Sequence, residues 1–282
     1  MSHITQEEAF QKRDELVNDG FTVIPGVMSQ EFVQELRVWS DDIFSRVPVD
    51  RKHRYQGSDI HVATPKRWEE MQPREETNQS FPDIMAARQL DLPAQREVCD
   101  MMGLEGHGHH ESMIILSKPG NGPPLYWHQD FMDWNNPRAA TPWPTQIFIS
   151  YYLTDTNREN GCLRAIPGTH RKRINLHGIL PAAHGEEIQS IEDLNHEIFE
   201  DHPDAVDLAV NAGDLVIADG RVLHAAWPNQ TPHRRTLLLQ WHAVFPFPFV
   251  PSWWEDEIPD AIRNADPTQA YEGTRIPGKH LK

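Results

Sequence analysis

Short apolar runs separated by turn residues dominate the chain from about residue 112 to residue 245. The runs are rich in β-branched and aromatic residues: SMIILSK, TQIFISYYL, CLRAI, VDLAV, GDLVIAD and RTLLLQWHAVF. Such runs are typical of strands, and many short strands without long helices between them indicate a sandwich or a barrel. We therefore predict a mainly β core over residues 110–245.

The first fifty residues have a different pattern. Residues 5–19 are polar with helical spacing and end at Gly20, before the β-rich run FTVIPGV. Ser29 can then cap a second helix. Its apolar residues recur every three to four positions: Phe32, Leu36, Trp39 and Ile43. We predict helix, strand and helix as support for the β core over about residues 1–50, and loop or short helix for the charged residues 50–80.

Two segments outside the strands are candidate lids over a pocket. Residues 170–205 are polar and partly helical and form an insertion longer than most connections. The tail, 246–282, begins with the aromatic and proline-rich run FPFPFVPSWWEDEIPDAI, which resists regular structure but offers apolar surface. Since nothing resembles a linker, we expect a single domain over residues 1–282.

Composition narrows the class of function. Lys and Arg number 26 against 42 Asp and Glu, and the net charge of −16 repels phosphate backbones, so nucleic acid is not an expected partner. The N-terminus has no signal-peptide pattern and no run of about 18 apolar residues occurs, which predicts a cytoplasmic protein without membrane partners. Cys99 and Cys162 are too few for a disulfide framework and are expected to be free thiols.

The run LYWHQDFMDW contains the candidate chemistry. In a strand, residues i and i+2 point to the same face, so His128 and Asp130 can reach one metal ion while Gln129 points away. His224, after a later pair of β runs, can supply a third ligand. Two histidines and one carboxylate leave coordination positions open, as in non-haem Fe(II) oxygenases, whereas structural zinc prefers a closed tetrahedral shell. The pattern alone is a weak signal, because the chain has 16 histidines.

Arg235 makes the pattern more specific. It lies in the strand run that follows His224. A guanidinium can hold the distal carboxylate of a 2-oxo diacid such as 2-oxoglutarate by two hydrogen bonds, while the oxo-acid end chelates the metal. The neighbouring Arg234 should face the opposite side of the strand, toward solvent.

Three runs of the chain resemble the phytanoyl-CoA dioxygenase family of Fe(II)/2-oxoglutarate oxygenases. They are LSKPGNGPPLYWHQD, TDTNRENGCLRAIPGTHRKR and GDLVIADGRVLHAAWPNQTPHRRTLLLQWH. The run DGFTVIPGVMSQEFVQEL is also similar, so the resemblance covers most of residues 15–245. It implies a double-stranded β-helix, or jelly-roll, core with flanking helices. It also implies iron bound by His128, Asp130 and His224.

The resemblance further implies how the cosubstrate is held and used. Arg235 takes the position of the 2-oxoglutarate arginine, and Lys118 and Tyr151 fall where related proteins place further cosubstrate contacts. The implied reaction converts 2-oxoglutarate and O2 to succinate and CO2 while an unactivated C–H bond of a small metabolite is oxidised, most often by hydroxylation. Asp130 fills the position that a halide needs in halogenating relatives, which disfavours halogenation.

Nearby aromatic residues give a first view of the substrate. Phe131 and Trp134 follow the His-x-Asp run and Trp227 follows the distal histidine, so all three are candidate substrate contacts. The acidic chain has no obvious basic cluster, which favours a neutral or apolar substrate over a coenzyme A thioester.

Two other functions stay open at this point. A jelly-roll protein could bind Zn or Ni through the same three residues and act as an isomerase or a ligand-binding module, with no use for Arg235. A catalytically silent relative could serve as a partner subunit, although the retained His128, Asp130, His224 and Arg235 argue against it.

Overall fold

The computed structural model describes residues 4–46, 54–55, 58–64, 78–80, 93–105, 113–181, 183, 185–245, 249–266 and 268. Strands of these residues form two sheets, one of eight strands and one of four. The larger sheet contains β1 (Phe21–Ile24), β2 (Arg54–Tyr55), β3 (Ser58–Thr64), β4 (Asn78–Ser80), β5 (Met113–Lys118), β7 (Gln146–Tyr152), β10 (Leu215–Asp219) and β12 (Arg235–Ala243). The smaller sheet contains β6 (Leu125–His128), β8 (Leu163–Ala165), β9 (Val206–Leu208) and β11 (His224–Ala226).

The chain crosses repeatedly between these sheets. The strand order is β1-β10-β7-β12-β5-β3-β2 in the larger sheet, with β4 parallel to β3, and β6-β11-β8-β9 in the smaller sheet. From β5 to β8 each successive strand lies in the other sheet, and β10, β11 and β12 do the same. The predicted mainly β, jelly-roll fold is confirmed.

Alternation along the central strands separates two apolar layers. On β12, Leu238 packs outward into the core beneath the helices, whereas Leu237 and Leu239 point between the sheets. Successive strand residues face opposite sides, so one strand contributes to both layers. Both faces of the larger sheet are therefore buried, and its sequence reads as continuous apolar runs rather than as an alternating pattern.

Three helices cover the outer face of the larger sheet: α1 (Gln6–Asp19), α2 (Gln30–Arg46) and α3 (Pro93–Met101). Helix α1 begins with a capping box between Thr5 and Glu8 and ends at Gly20, whose φ of 90° is strained for residues with a side chain. The predicted cap of α2 is present, since Ser29 Oγ accepts from the backbone N–H of Phe32 at 3.2 Å.

Residues 50–80 depart from the prediction of loop or short helix, because the described part contains β3. This polar strand pairs with β5, and its Asp59 is buried in an ion pair with Arg234. The pairing depends on contacts distant in sequence, so the local pattern does not reveal it.

The two candidate lids pack elsewhere. Residues 170–205 contain α4 (Glu186–Gln189) and cover the outer face of the smaller sheet, where Trp127 Nε1 donates to the carbonyl of Glu200 at 2.8 Å. In the described tail, which contains α5 (Asp260–Arg263), Trp253 Nε1 donates to the carbonyl of Gly103 beside α3 at 2.9 Å. Neither described segment lines the cavity between the sheets, so the structure gives the lid expectation no support.

Two expectations from composition can be compared with the described residues. Cys99 and Cys162 are buried free thiols, as predicted. None of the helices in the described ranges combines the length and the apolar character needed to span a bilayer.

Candidate active site

Three side chains of the smaller sheet and its adjoining loop meet at one point. His128 ends β6, Asp130 follows it in the loop, and His224 begins β11. The strand pairing sets His128 opposite His224, and their ring centroids are 4.1 Å apart. One carboxylate oxygen of Asp130 lies 3.4 Å from Nε2 of His128, and the other lies 3.8 Å from Nε2 of His224. One ligand atom from each residue lies within 4.8 Å of the others, close enough to share an ion.

Backbone carbonyls fix the tautomers of both imidazoles. Nδ1 of His128 lies 3.0 Å from the carbonyl oxygen of Tyr126, and Nδ1 of His224 lies 3.1 Å from that of Val222. Because a carbonyl oxygen can only accept a hydrogen bond, each Nδ1 carries the proton and donates it. Each Nε2 then presents its lone pair toward Asp130, which is the arrangement of metal-binding histidines.

The protonation states of Asp130 and His224 also favour binding of a cation between the three side chains. Burial opposes ionisation of Asp130, but interactions with His224 and His128 and a 2.9 Å hydrogen bond from Trp241 Nε1 outweigh it and lower the pKa of Asp130 to about 2. Burial and repulsion by His128 lower the pKa of His224 to about 4. An ionised carboxylate beside a neutral imidazole is the state in which such ligands bind a divalent metal.

A buried turn at residues 219–222 stands behind these ligands. Its Arg221 side chain is fully buried and donates to both carboxylate oxygens of Asp219, at 2.9 and 2.6 Å. The same guanidinium donates to three backbone carbonyls within residues 139–143, at 3.0, 2.8 and 2.9 Å. The pair therefore joins the turn to that neighbouring segment.

The turn also contacts the chain on both sides of Asp130. The side-chain amide of Gln129 donates to the carbonyl of Arg221, and the backbone N–H of Phe131 donates to the carbonyl of Gly220 at 2.8 Å. The side chain of Gln129 points away from His128 and Asp130, as the sequence predicts. Since His224 lies two residues after this turn, the one buried element contacts the chain at both Asp130 and His224.

The three side chains open into a cavity of about 400 Å³ between the sheets. Small-molecule sites typically enclose about 300–1,000 Å³. Most of its wall is aliphatic or aromatic and comes from β5, β7, β8 and β12. Besides the three candidate ligands, the described polar lining residues are Ser58, Gln146, Ser150, Tyr152 and Arg235.

Arg235 lies in this cavity and is 3 % exposed. No acidic side chain of the described residues pairs with its guanidinium, and its Nε has no hydrogen-bond partner among them. Burial lowers the pKa of Arg235, although the neighbouring Tyr152 and Cys162 oppose that shift. A buried cation without an anionic partner is costly, so this end of the cavity suits a ligand with a carboxylate.

The adjacent Arg234 points to the opposite face, as predicted. It is not simply solvated, because Nη1 lies 2.8 Å from a carboxylate oxygen of Asp59 and the guanidinium lies over the ring of Phe44 at 4.5 Å. Arg234 is thus a paired structural arginine next to Arg235, which has no such partner among the described residues.

Tyr151 does not reach the cavity, and its predicted role as a cosubstrate contact is wrong. Its ring lies in the core beneath the helices and its hydroxyl donates to Gln240 at 3.3 Å. The next residue, Tyr152, faces the cavity close to Arg235; its hydroxyl has no partner among the described residues, and burial raises its pKa to about 12. Both faces of β7 are buried, so the local sequence gives no signal for choosing between the two tyrosines.

Lys118 lies opposite Arg235 in the β5–β12 pair. Its Nζ donates to the carbonyls of Pro123 and Trp227, at 2.9 and 2.7 Å. Burial, and then repulsion by Arg235, lower the pKa of Lys118 well below its usual value. Lys118 is not among the cavity-lining residues, so the structure does not support the predicted direct contact with a cosubstrate.

None of the three predicted substrate contacts lines the cavity. Phe131 is turned aside after the strand ends and packs edge-on against Trp134, with centroids 5.0 Å apart. Trp227 has the guanidinium groups of Arg158 and Arg164 over its ring, each at 3.9 Å. These aromatic residues therefore pack against the protein, and the structure gives the predictions for them no support.

Comparison with known proteins supports the fold and identifies relatives. The family model described as phytanoyl-CoA dioxygenase (PhyH) matches residues 16–237. The ectoine dioxygenase of Nocardia farcinica (strain IFM 10152) is 25% identical over 227 residues, which cover 77% of this chain and 72% of that protein. Phytanoyl-CoA dioxygenase 1 of Oryza sativa subsp. japonica is 32% identical over 128 residues, 45% of this chain, and the match spans only 42% of the rice protein.

A solved structure shows the same fold over nearly the whole chain. It is the non-heme alpha ketoglutarate dependent carbocyclase SnoK from nogalamycin biosynthesis, with a TM-score of 0.58 and 18% identity. The match covers 97% of this chain and 98% of that one.

Proposed function

Because the chain belongs to the phytanoyl-CoA dioxygenase family, we propose that it hydroxylates a neutral, largely apolar small molecule in the cavity between its sheets. The expected enzyme class, an Fe(II)- and 2-oxoglutarate-dependent dioxygenase, is confirmed by the family. The roles of individual residues and the character of the substrate are our proposal, argued below from the geometry.

We assign the iron to Nε2 of His128, Nε2 of His224 and a carboxylate oxygen of Asp130. Two neutral imidazoles and one ionised carboxylate form the donor set that suits Fe(II) and leaves coordination positions for cosubstrate and O2. Iron bound there would supply the O2 activation that is coupled to decarboxylation of 2-oxoglutarate. The protein holds the ligands with Nδ1 protons directed at backbone carbonyls and with Trp241 donating to Asp130.

We assign the distal carboxylate of 2-oxoglutarate to Arg235, with the hydroxyl of Tyr152 as a second donor. Both groups lie in the same cavity as the metal ligands, and both contain a buried polar atom without a partner among the described residues. The guanidinium of Arg235, which pairs with no acidic side chain of the described residues, is the single observation on which the proposal chiefly rests. A Zn or Ni isomerase using the same three ligands would have no need of a buried, unpaired arginine.

The apolar wall supports a neutral substrate. Among the described lining residues, Arg235 is the one permanent cation, and the cosubstrate uses it. A second anionic group would then enter apolar surroundings beside the Asp130 carboxylate without a partner. The walls exclude water and orient the substrate, while the metal ligands remain buried.

Anaerobic titration of the purified protein tests the assignment. Fe(II) with 2-oxoglutarate should give a visible charge-transfer band, and O2 should then release succinate. His224→Ala should abolish the band, whereas the matched variant His196→Ala, on the outer face of the smaller sheet, should retain it. Folded wild-type protein that gives neither band nor succinate would refute the proposed function.

A further inference from the structure

Three cavity-lining residues contain a buried polar atom that has no hydrogen-bond partner among the described residues: Arg235 Nε, Tyr152 Oη and Gln146 Oε1. Under the proposed function, 2-oxoglutarate satisfies the first two. The third belongs to a side-chain amide, which can present either its oxygen or its NH2 group to a ligand by rotation, and a buried amide group without a partner destabilises the protein unless a ligand supplies one.

Gln146 lies at the opposite end of β7 from Tyr152. Gln146, Phe148, Ser150 and Tyr152 all face the cavity, since they are spaced by two residues along the strand. Tyr152 pairs with Leu237 near Arg235, whereas Gln146 pairs with Ala243 at the other end of β12. The two unpaired groups are therefore roughly 20 Å apart along the strand, too far for one 2-oxoglutarate molecule to satisfy both.

The candidate metal site lies near the Gln146 end. Phe148 contacts the ring of His224, with centroids 5.0 Å apart, and Trp241, which pairs with Phe148, donates to Asp130. Gln146 is two residues before Phe148, or roughly 7 Å along the strand. A substrate group bound to Gln146 would thus lie a few bonds from the carbon that faces the metal.

We infer that Gln146 is a specificity-determining residue, and that the substrate is an apolar skeleton bearing one hydroxyl or amide group, which forms a hydrogen bond with the side-chain amide of Gln146. This inference rests on the proposed function and narrows its substrate class. A parent hydrocarbon would leave the amide unsatisfied. A carboxylate would bring a second negative charge toward Asp130.

Substrate-stimulated succinate release tests the inference with matched probes. The panel is 1-adamantanol, adamantane and 1-adamantanecarboxylic acid, with menthol, menthane and menthane carboxylic acid as a second skeleton. The wild-type protein, loaded with Fe(II) and 2-oxoglutarate, should prefer the alcohol to the hydrocarbon of a skeleton at least tenfold. Gln146→Leu should reduce that preference to near unity and leave the affinity for 2-oxoglutarate unchanged.

The matched control is Gln240→Leu, the same substitution on the opposite face of the neighbouring strand β12, where Gln240 accepts from Tyr151. This variant should keep the preference for the alcohol. Gln146→Leu should also unfold at no lower temperature than the wild type, because the amide oxygen it removes has no hydrogen-bond partner among the described residues.

Three outcomes overturn the inference. They are equal stimulation by alcohol and hydrocarbon, a preference that survives in Gln146→Leu, and failure of both alcohols to stimulate a protein that binds 2-oxoglutarate. Failure of the wild type to bind 2-oxoglutarate would instead contradict the proposed function itself, so the two failures are distinguishable.

Discussion

Arg221 and Arg235 are both buried in the jelly roll, but their surroundings differ. The guanidinium of Arg221 is surrounded by acceptors, two oxygens of Asp219 and three backbone carbonyls. That of Arg235 faces a cavity and pairs with no acidic side chain of the described residues. The difference teaches that burial alone does not identify a functional arginine. A satisfied buried cation holds the fold, and an unsatisfied one is suited to a ligand.

Substitution of Arg221 should have the largest effect, a loss of stability. Arg221→Met removes the cation and the five hydrogen bonds of its guanidinium, and it leaves the buried Asp219 carboxylate without the charge that pairs with it, which should lower the free energy of unfolding by about 3–5 kcal/mol. Urea denaturation of the metal-free protein measures this loss. A change below about 1 kcal/mol would contradict the structural role that we give to the pair.

Substitution of Arg235 should weaken the binding of 2-oxoglutarate without lowering the stability of the protein. Arg235→Leu removes a buried cation that lies near the Lys118 ammonium, so the metal-free protein should be equally or more stable. The KM for 2-oxoglutarate should rise roughly 100-fold, because the bound carboxylate loses its charged donor. Initial rates of succinate release at saturating substrate measure the change in KM.

Arg234→Leu is the matched control for that prediction. It alters the adjacent residue on the opposite face, which pairs with Asp59. Its KM for 2-oxoglutarate should stay within a fewfold of the wild-type value. Similar increases in KM for both variants would mean that the cavity arginine is not the cosubstrate anchor.

The sequence predicts the features that lie within short runs, but it does not predict those that depend on tertiary contacts. The spacing of His128, Asp130 and His224 and the position of Arg235 are local features of short runs, and the structure brings all four to one cavity. The role of Arg221 is not readable, because its acceptors in residues 139–143 meet it only through tertiary packing.

The same reasoning explains the errors near the site. A choice between Tyr151 and Tyr152 needs the facing direction of a strand whose two sides are both apolar, and only its pairing with β12 fixes that direction. Phe131 lies outside the cavity lining because β6 ends at His128, after which the strand rule no longer applies. The sequence thus predicts which residues meet at the candidate site more reliably than which residues surround them.

Acid should lower the free energy of unfolding partly through the ion pair of Arg221, whereas Arg235 should not contribute to this loss. Burial opposes ionisation of Asp219, but the charge of Arg221 and its hydrogen bonds outweigh it and lower the pKa of Asp219 below its ordinary value. A carboxyl whose folded-state pKa is depressed stabilises the protein above its unfolded pKa of about 3.9, and this stability is lost as the pH falls through the folded-state pKa.

Unfolding free energies measured at pH 5 and pH 3 test this sign. The fall in stability over that interval should be smaller in Asp219→Asn than in the wild type, by up to about 1 kcal/mol. Arg235→Leu should retain the wild-type fall, since Arg235 has no carboxylate partner among the described residues. An unaltered fall in Asp219→Asn would show that the pair does not titrate as inferred.

The smallest expected effect concerns Tyr152, which lies beside Arg235 and has an unpaired hydroxyl among the described residues. Tyr152→Phe keeps the ring and removes one neutral donor, worth about 1 kcal/mol, so the KM for 2-oxoglutarate should rise roughly fivefold. Tyr151→Phe, on the opposite face of β7, should leave that KM unchanged, because its hydroxyl donates to Gln240 outside the cavity. A larger effect from Tyr151→Phe than from Tyr152→Phe would show that the side of β7 containing Tyr151 faces the cavity. It would then also contradict the assignment of Gln146 to the cavity.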